Sequence, residues 1–211
     1  MALLAAGAAH ELNNPLSVIV GYLSLILGGK TAPDRISEQL ERVQVEAKHC
    51  RVVLEGLSEL ADFNRGEAKP LDVNFLLREA HDAAPQLSLR VGGEPKLSVR
   101  GREHGLLLML RHLLRNARES GARSVAVTAS RSSSLLRLQL QDDGAGLSAS
   151  AKLRAKEPFF STKPNGVGLG LTIAQLVVEG HGGSLELLTG PGGGTVAVVQ
   201  LPHVASAGDL E

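Results

Sequence analysis

The sequence predicts an α+β protein: a helical hairpin that dimerises into a four-helix bundle, followed by an α/β two-layer sandwich. Three observations predict this fold class. Apolar residues recur every three to four positions through about the first sixty residues, as on one face of a helix. Residues 65–70 are polar and include glycine and proline, as at a domain boundary. Beyond them, alternation typical of strands is interleaved with helical spacing.

The predicted hairpin, within a first domain of residues 1–66, has two helices joined at Gly28-Gly29 and a turn over 31–34. The second helix is expected from about residue 35 to residue 64. The apolar stripes are too wide to be buried between these two helices alone, so we expect a second copy of the chain to complete a four-helix bundle. The alternative is packing of the hairpin on the second domain. The stripes contain Leu12, Leu16, Ile19, Val20, Leu23, Ile26 and Leu27, then Ile36, Leu40, Val43, Ala47, Cys50, Val53 or Leu54, Leu57 and Leu60.

The second domain is assigned to residues 67–211. Its strands are expected at 71–73, 87–91, 97–99, 124–130, 135–141, 184–188 and 195–201. Helices are expected after 73 to about 84, over 101–120, and up to about 179, with a glycine-containing loop over 142–168. Strands on one side of three helices form a two-layer sandwich.

Composition excludes several classes of partner. Lys plus Arg and Asp plus Glu each number 22, so no basic field favours nucleic acid or an anionic membrane. Four Phe, one Tyr and no Trp give little for stacking bases. The lone Cys50 fits a reducing compartment. No apolar run of about 18 residues predicts a membrane span, and the start lacks the basic residues of a signal peptide, so we expect a cytoplasmic chain without membrane contact.

The first chemical motif is HELNNPL at residues 10–16. A neutral imidazole such as that of His10 can attack phosphorus with one nitrogen while a carboxylate, here Glu11, binds the proton on the other. Pro15 is unusual, since proline costs about 3 kcal/mol inside a helix. Most exposed helical histidines have no chemical role, so the motif alone does not assign one.

A second motif is HLLRNA at residues 112–117. The amide oxygen of Asn116 suits a Mg²⁺ ion that also binds substrate phosphates and water. His112 lies one helical turn earlier on the same face. The alternative is an asparagine that bonds only within its helix.

A third motif, DDGAG at residues 142–146, directly follows a predicted strand. Asp142 can accept a hydrogen bond from an exocyclic amine such as that of adenine, and Gly144 and Gly146 let the backbone approach a ligand. The alternative is a plain Asp-Gly turn.

The fourth motif joins EPFFSTK at 157–163 to GVGLGL at 166–171, where a helix begins. Glycines before a helix N-terminus favour phosphate binding, and Lys163 adds a positive charge for a terminal phosphate. The pattern is neither a Rossmann fingerprint nor a Walker A loop. Phe159 and Phe160 indicate a loop with an aromatic anchor, or core residues only.

Taken in order, the motifs HELNNPL, HLLRNA, DDGAG, EPFFSTK and GVGLGL resemble the H, N, first glycine, F and second glycine boxes of two-component sensor histidine kinases. The resemblance spans about residues 5–202 and looks most like the nitrogen-regulator type. It implies a dimerisation and histidine-phosphotransfer hairpin followed by a Bergerat-fold ATP-binding domain of the GHKL class.

The resemblance also implies roles for individual residues. His10 would accept the γ-phosphoryl group on its ε nitrogen, Glu11 would activate it, and Asn14 would help a water dephosphorylate the partner protein. Asn116 would ligate Mg²⁺ and Asp142 would bind the adenine amine. The remaining implied nucleotide-binding residues are Gly144, Gly146, Lys163, Gly166, Gly168, Gly170, Leu171 and Thr195, of which Lys163 would meet the γ-phosphate and Thr195 would support Asp142.

The implied cofactors are ATP and Mg²⁺, and the implied partners are a second copy and the receiver domain of a response regulator. Two positions depart from the family pattern: His112 stands where asparagine is usual, and Glu119 where a basic residue is frequent. Two alternatives remain open, another GHKL-type ATPase or serine kinase and a nucleotide-binding dimeric scaffold without turnover. Because only nine residues precede His10, we expect the chain to be part of a longer sensor protein.

Overall fold

A computed structural model describes residues 2–94, 96–132, 134–163 and 166–203. The chain divides into two compact units. The first comprises the residues up to Leu60 together with Pro158–Leu169, and the second comprises Ala61–Glu157 and the residues from Gly170 onward. The segment 158–169, which chain order assigns to the second domain, is therefore part of the hairpin unit. The boundary between 66 and 67 stays a prediction.

The first unit contains the predicted hairpin. Helix α1 spans Ala2–Leu27 and helix α2 spans Ile36–Asp62, with a 3₁₀ turn at Pro33–Arg35 between them. Gly29 ends α1 in the left-handed region, with φ of 64°, and the N–H of Lys30 donates to the carbonyl of Leu25 at 3.0 Å. This six-to-one bond is a glycine-dependent C-cap, and it ends α1 at the Gly28-Gly29 pair, where the sequence predicts the break.

Much of the apolar surface of the hairpin is exposed. Exposed large side chains lie on both helices: Leu16, Val18, Val20, Leu23, Leu25 and Leu27 on α1, and Leu40, Val45, Val52 and Leu54 on α2. Clusters of exposed apolar side chains often mark a surface that packs against another protein. None of the helices in the described part of the chain has the length and apolarity needed to cross a membrane.

The second unit is built on a five-stranded sheet. Its strands are β2 (Ser88–Gly93), β4 (Ser124–Ser132), β5 (Leu135–Asp142), β6 (Ser184–Thr189) and β7 (Thr195–Pro202), in the order β2-β4-β5-β7-β6. Only the β2–β4 pair is parallel among these described strands. Two further strands, β1 (Lys69–Asp72) and β3 (Ser98–Gly101), form a separate antiparallel pair.

Three helices accompany the sheet: α3 (Val73–His81), α4 (Glu103–Glu119) and α6 (Gly170–Gly180). Strand side chains such as those of Val127 and Leu138 and helix side chains such as those of Leu114 and Ile173 are buried, and they form the core between the layers. The two-layer α/β prediction is confirmed. A short helix, α5 (Ala149–Arg154), interrupts the predicted loop, and the hydroxyl of Ser148 caps it by accepting from the N–H of Ala151 at 3.2 Å.

His181, which follows the last residue of α6, connects that end of α6 to the start of α4 by a hydrogen bond. The N–H of Arg102 donates to Nε2 of His181 at 3.0 Å. Since that nitrogen accepts, Nδ1 carries the proton and donates to the carbonyl of Val177 at 2.7 Å. A neutral imidazole therefore joins the end of α6 to the residue before α4, which leaves the other end of the helix pair to carry the predicted site residues.

Candidate active site

Asp142, the last residue of β5, organises the predicted nucleotide site. Its Oδ1 accepts from the N–H of Gly144 at 2.9 Å and from the N–H of Thr195 at 3.1 Å. No described residue bonds to Oδ2 of Asp142. The carboxylate is thus held by one oxygen and keeps the other available as an acceptor, which suits an exocyclic amine.

The loop after β5 approaches the turn between β6 and β7 with no room for side chains. Gly146 and Gly194 both have φ of 72°. A Cβ built on Gly146 would lie 2.9 Å from the carbonyl oxygen of Gly194, and one built on Gly194 would overlap the carbonyl of Asp142. Both the left-handed backbone and the close approach therefore require glycine here. The contribution of Thr195 to Asp142 is its backbone N–H.

Asp143, the neighbouring carboxylate, has a different environment. Its Oδ1 accepts from the N–H groups of Arg123 and Ser124, and its Oδ2 accepts from the Ser124 hydroxyl. The hydrogen bond from the Ser124 backbone, followed by those from the Ser124 hydroxyl and the Arg123 backbone, lowers the pKa of Asp143 to about 2. Both of its oxygens are used to hold the start of β4, so the geometry favours Asp142 over Asp143 as the ligand acceptor.

Asn116 is connected to the loop after β5 by Ser120, which follows the last residue of α4. Its carbonyl accepts from the N–H of Ser120 at 3.0 Å, and the two residues are neighbours on one helix face. The Ser120 carbonyl accepts from the N–H of Ala145 at 3.0 Å, and a side chain on Gly144 would overlap the Ser120 hydroxyl. Half-buried Asn116 is therefore one helical turn from Ser120, and Ser120 contacts the glycine loop that follows Asp142.

His112, the first departure from the family pattern, is a buried packing residue with 3% of its surface exposed. Its Nδ1 accepts from the Arg115 guanidinium at 2.7 Å. A Cβ built on Gly170, the first residue of α6, would lie 3.1 Å from that nitrogen and 3.5 Å from Nη2 of Arg115. His112 thus supports the start of α6, and a guanidinium lies beside it.

Glu119, the second departure, pairs with Arg115 across one helical turn. The distance from Arg115 Nε to Glu119 Oε1 is 3.9 Å, and both side chains are more than one third exposed. A solvent-exposed pair of this kind contributes little to stability. Its effect is local, since it places a carboxylate next to the guanidinium that bonds His112.

The predicted residues of the fourth motif are divided between the units. Gly170 and half-buried Leu171 start α6 in the second unit. Lys163, Gly166 and Gly168 belong to the segment Pro158–Leu169 of the first unit. Within that segment the N–H of Gly166 donates to the carbonyl of Lys163 at 3.2 Å, so these two residues lie close together.

His10 is exposed on α1, and Asn14 is its polar neighbour. The distance from Asn14 Nδ2 to His10 Nε2 is 3.4 Å. An amide N–H only donates, so Nε2 accepts and the imidazole proton is placed on Nδ1. No described hydrogen bond joins Glu11 to His10, as expected for adjacent helical residues that do not face each other.

Sequence reasoning missed four residues that shape the site. Arg115 contacts His112, Ser120 contacts the loop at Gly144, and Gly194 contacts Asp142. Asp143 holds the start of β4 beside Asp142. For two of them a signal was present: the run of glycines at 192–194 indicates a close backbone approach, and a serine before Gly121 is typical of a helix end.

Comparison with known proteins finds two family domains in the chain. Residues 1–66 match the His Kinase A (phospho-acceptor) domain. Residues 101–205 match the family described as histidine kinase-, DNA gyrase B-, and HSP90-like ATPase. The chain belongs to the two-component histidine kinases. The matches do not separate the nitrogen-regulator type from other members, so this finer assignment stays a prediction.

Two curated relatives illustrate the similarity of this histidine kinase core. Sensor histidine kinase ZraS of Klebsiella oxytoca is 32% identical over 210 residues, covering 94% of this chain and 45% of that protein. Sporulation kinase B of Bacillus subtilis (strain 168) is 25% identical over 209 residues, covering 94% of this chain and 49% of that protein. The chain therefore spans about half the length of these relatives.

Solved histidine kinase structures share the fold. The histidine kinase ThkA in complex with the response regulator protein TrrA aligns over 95% of this chain and 61% of that chain, with a TM-score of 0.72 and 19% identity. Mycobacterial sensor histidine kinase MprB aligns over 66% of this chain and 99% of that chain, with a TM-score of 0.58 and 25% identity. The first of these extends across both units of this histidine kinase core.

The two adjacent aspartates of the histidine kinase core give a matched test. In Asp142→Asn, the amide oxygen can keep the hydrogen bonds from the N–H groups of Gly144 and Thr195. The amide NH₂ then replaces Oδ2, and it cannot accept a hydrogen bond from a ligand amine because both groups donate. We expect ATP affinity to fall at least about tenfold, because a hydrogen bond to a charged group contributes roughly 1.5–3 kcal/mol. Calorimetry with a non-hydrolysable ATP analogue measures it. Asp143→Asn should bind within about twofold of the native chain, and equal affinities in both variants would contradict the assignment.

Asp143 also predicts a pH dependence of stability in the histidine kinase core. Its pKa is lowered from 3.8 to about 2, so its stabilising effect is complete above about pH 4 and is lost as the pH falls through about 2. We expect Asp143→Asn to be less stable than the native chain at pH 7, with the difference shrinking between pH 4 and pH 2. Urea unfolding across this range measures it, and a difference independent of pH would rule out this role.

Proposed function

We propose that this chain is an ATP-dependent protein-histidine kinase that phosphorylates its own His10 and passes the phosphoryl group to an aspartate of a response regulator. The observation that carries the proposal is the presence in one chain of two family domains, a phospho-acceptor hairpin and an ATPase-type domain. The exposed His10 of the first and the available Oδ2 of Asp142 in the second support it.

The first step of the proposed reaction forms a phosphorus–nitrogen bond. Nε2 of neutral His10, whose lone pair is available when the proton is on Nδ1, attacks the γ-phosphorus of ATP. The bond from that phosphorus to the β–γ bridging oxygen breaks, and ADP leaves. The Nδ1 proton is transferred to Glu11, whose side chain must turn toward the imidazole, since the two groups are not bonded in the structure.

The proposed nucleotide contacts are those that the sequence motifs predict. Asp142 accepts from the adenine amine, with Gly144, Gly146 and the Thr195 amide shaping its surroundings. Free N–H groups at the start of α6, where Gly170 and Leu171 lie, suit phosphate oxygens. In the proposal Lys163 meets the terminal phosphate, where its positive charge stabilises the negative charge that builds up in the transition state. Gly166 and Gly168 shape the loop that carries the lysine.

Asn116 is the proposed protein ligand of Mg²⁺. No cluster of three or more His, Cys, Asp or Glu side chains that could hold a metal occurs among the described residues. An ion at Asn116 would take its other ligands from phosphate and water, a donor set that Mg²⁺ favours. The ion would draw negative charge from the phosphates during transfer.

Two partners follow from the proposal. A second copy of the chain would cover the exposed apolar residues of α1 and α2, giving the four-helix bundle that the sequence predicts. The receiver domain of a response regulator would take the phosphoryl group, and the complex of ThkA with its response regulator supports this class of partner.

The test of the kinase follows the phosphoryl group. With γ-labelled ATP and Mg²⁺, we expect the native chain to take up label that acid removes and alkali does not, as for phosphohistidine. His10→Ala should lose all label because the acceptor nitrogen is gone, whereas His104→Ala, which changes an exposed histidine of α4, should keep it. Nucleotide binding without label in the native chain would instead favour the scaffold alternative.

Asn14 is tested through dephosphorylation of the regulator. Because its amide lies beside His10 Nε2, we propose that it positions a water when the phosphorylated receiver docks there. Asn14→Ala should lower dephosphorylation at least about tenfold, as for loss of a positioning group, and keep autophosphorylation. The control is Asn13→Ala, an exposed neighbour. Equal dephosphorylation by both variants would reject this role.

A further inference from the structure

Two glycines inside the helices of the hairpin face the segment 158–169. Gly7 is in α1 and Gly56 is in α2. A Cβ built on Gly7 would overlap the ring of Phe159, and one built on Gly56 would lie 2.8 Å from Cδ1 of Leu169. Glycine is unfavourable inside a helix relative to alanine, so both positions have a packing reason: each makes room for a side chain of this segment.

The two side chains that rest on these glycines lie at the neck of a closed loop. The N–H of Phe159 donates to the carbonyl of Gly168 at 3.0 Å, which joins the two ends of the loop next to Leu169. Phe159 has φ of 64°, a left-handed conformation that a phenylalanine adopts only where its surroundings hold it. We call Phe159, Gly168 and Leu169 the loop neck.

Two of the buried hairpin side chains lie next to the glycines on which the loop neck rests. Among the hairpin side chains that the structure describes, those of Ala8, Pro15 and Val53 are buried. Ala8 adjoins Gly7, and Val53 lies one helical turn before Gly56 on the same face. Val167 and Leu169 on the loop side are buried as well.

Gly7 is also one helical turn before His10 on α1, so the two residues are neighbours on one helix face. We propose that Gly7 and Gly56 form a glycine seat for the loop neck, which positions the loop of Lys163 beside His10 for phosphoryl transfer. This inference rests on the proposed kinase function. Fixing a phosphate-binding loop near its acceptor raises the rate of transfer by removing its freedom to move. Gly7 and Gly56 are thus positioning residues rather than catalytic ones.

The hairpin offers a matched control for the seat. Gly21 is also inside α1, and nothing lies within 4 Å of a Cβ built on it. Gly7→Ala and Gly21→Ala therefore make the same chemical change in the same helix, and only the first meets the Phe159 ring. Gly56→Ala should act more weakly than Gly7→Ala, because the end of the Leu169 side chain can turn aside.

The experiment compares these variants in the full chain. We expect Gly7→Ala to lower the initial rate of autophosphorylation by between about tenfold and a hundredfold, as for a misplaced reacting group, with ATP affinity within about twofold of native. Gly21→Ala should match the native chain in both. Adding Phe159→Leu to Gly7→Ala should restore part of the rate, because the smaller side chain leaves room for the new methyl group.

A second readout does not depend on catalysis. Hydrogen exchange at the Phe159 amide, which is bonded to Gly168, should be faster in Gly7→Ala than in Gly21→Ala if the seat holds the neck. Equal exchange and equal rates in the two variants would overturn the seat, as would a rate loss in Gly7→Ala that Phe159→Leu leaves unchanged. A native chain that takes no label would overturn the kinase and the positioning role together, while exchange would still decide whether the neck docks.

Discussion

The candidate nucleotide site depends on one carboxylate oxygen. Oδ1 of Asp142 accepts from Gly144 in the loop after β5 and from Thr195 at the start of β7. The same loop then meets Ser120 at the end of α4, the helix that carries Asn116 and His112. Three elements distant in sequence are therefore brought together around one side chain, which keeps its second oxygen for a ligand.

Local patterns in the sequence were enough to predict most of the fold. The end of α1 follows from Gly28-Gly29, and alternating residues such as Val125, Val127 and Ala129 predict a strand with one buried face. The short helix α5 was missed because six residues carry too little periodicity to stand out. The contacts of the segment 158–169 with the hairpin could not be read from the sequence, because chain order says nothing about contacts made across more than a hundred residues.

For the candidate site, the sequence indicated residues but few of their contacts. Motif order assigned Asp142, yet nothing in the pair Asp142-Asp143 told which carboxylate would be used up by backbone N–H groups. The sequence marked His112 as a departure from the family pattern but not its reason. Its Nδ1 bond to Arg115 and its contact with Gly170 exist only when α4 packs against α6. Contacts of this kind depend on tertiary packing, which single motifs do not encode.

The close approach at Gly194 has a consequence for how this protein can change over time. Every replacement there adds a Cβ, and a Cβ at that point overlaps the carbonyl of Asp142. Substitutions at a surface turn are ordinarily tolerated. Gly194 is buried within this turn, and a side chain there would displace Asp142, the proposed ligand acceptor. Tolerance to mutation in this turn is therefore expected to differ between its exposed residues 191–193 and the buried Gly194, which contacts Asp142.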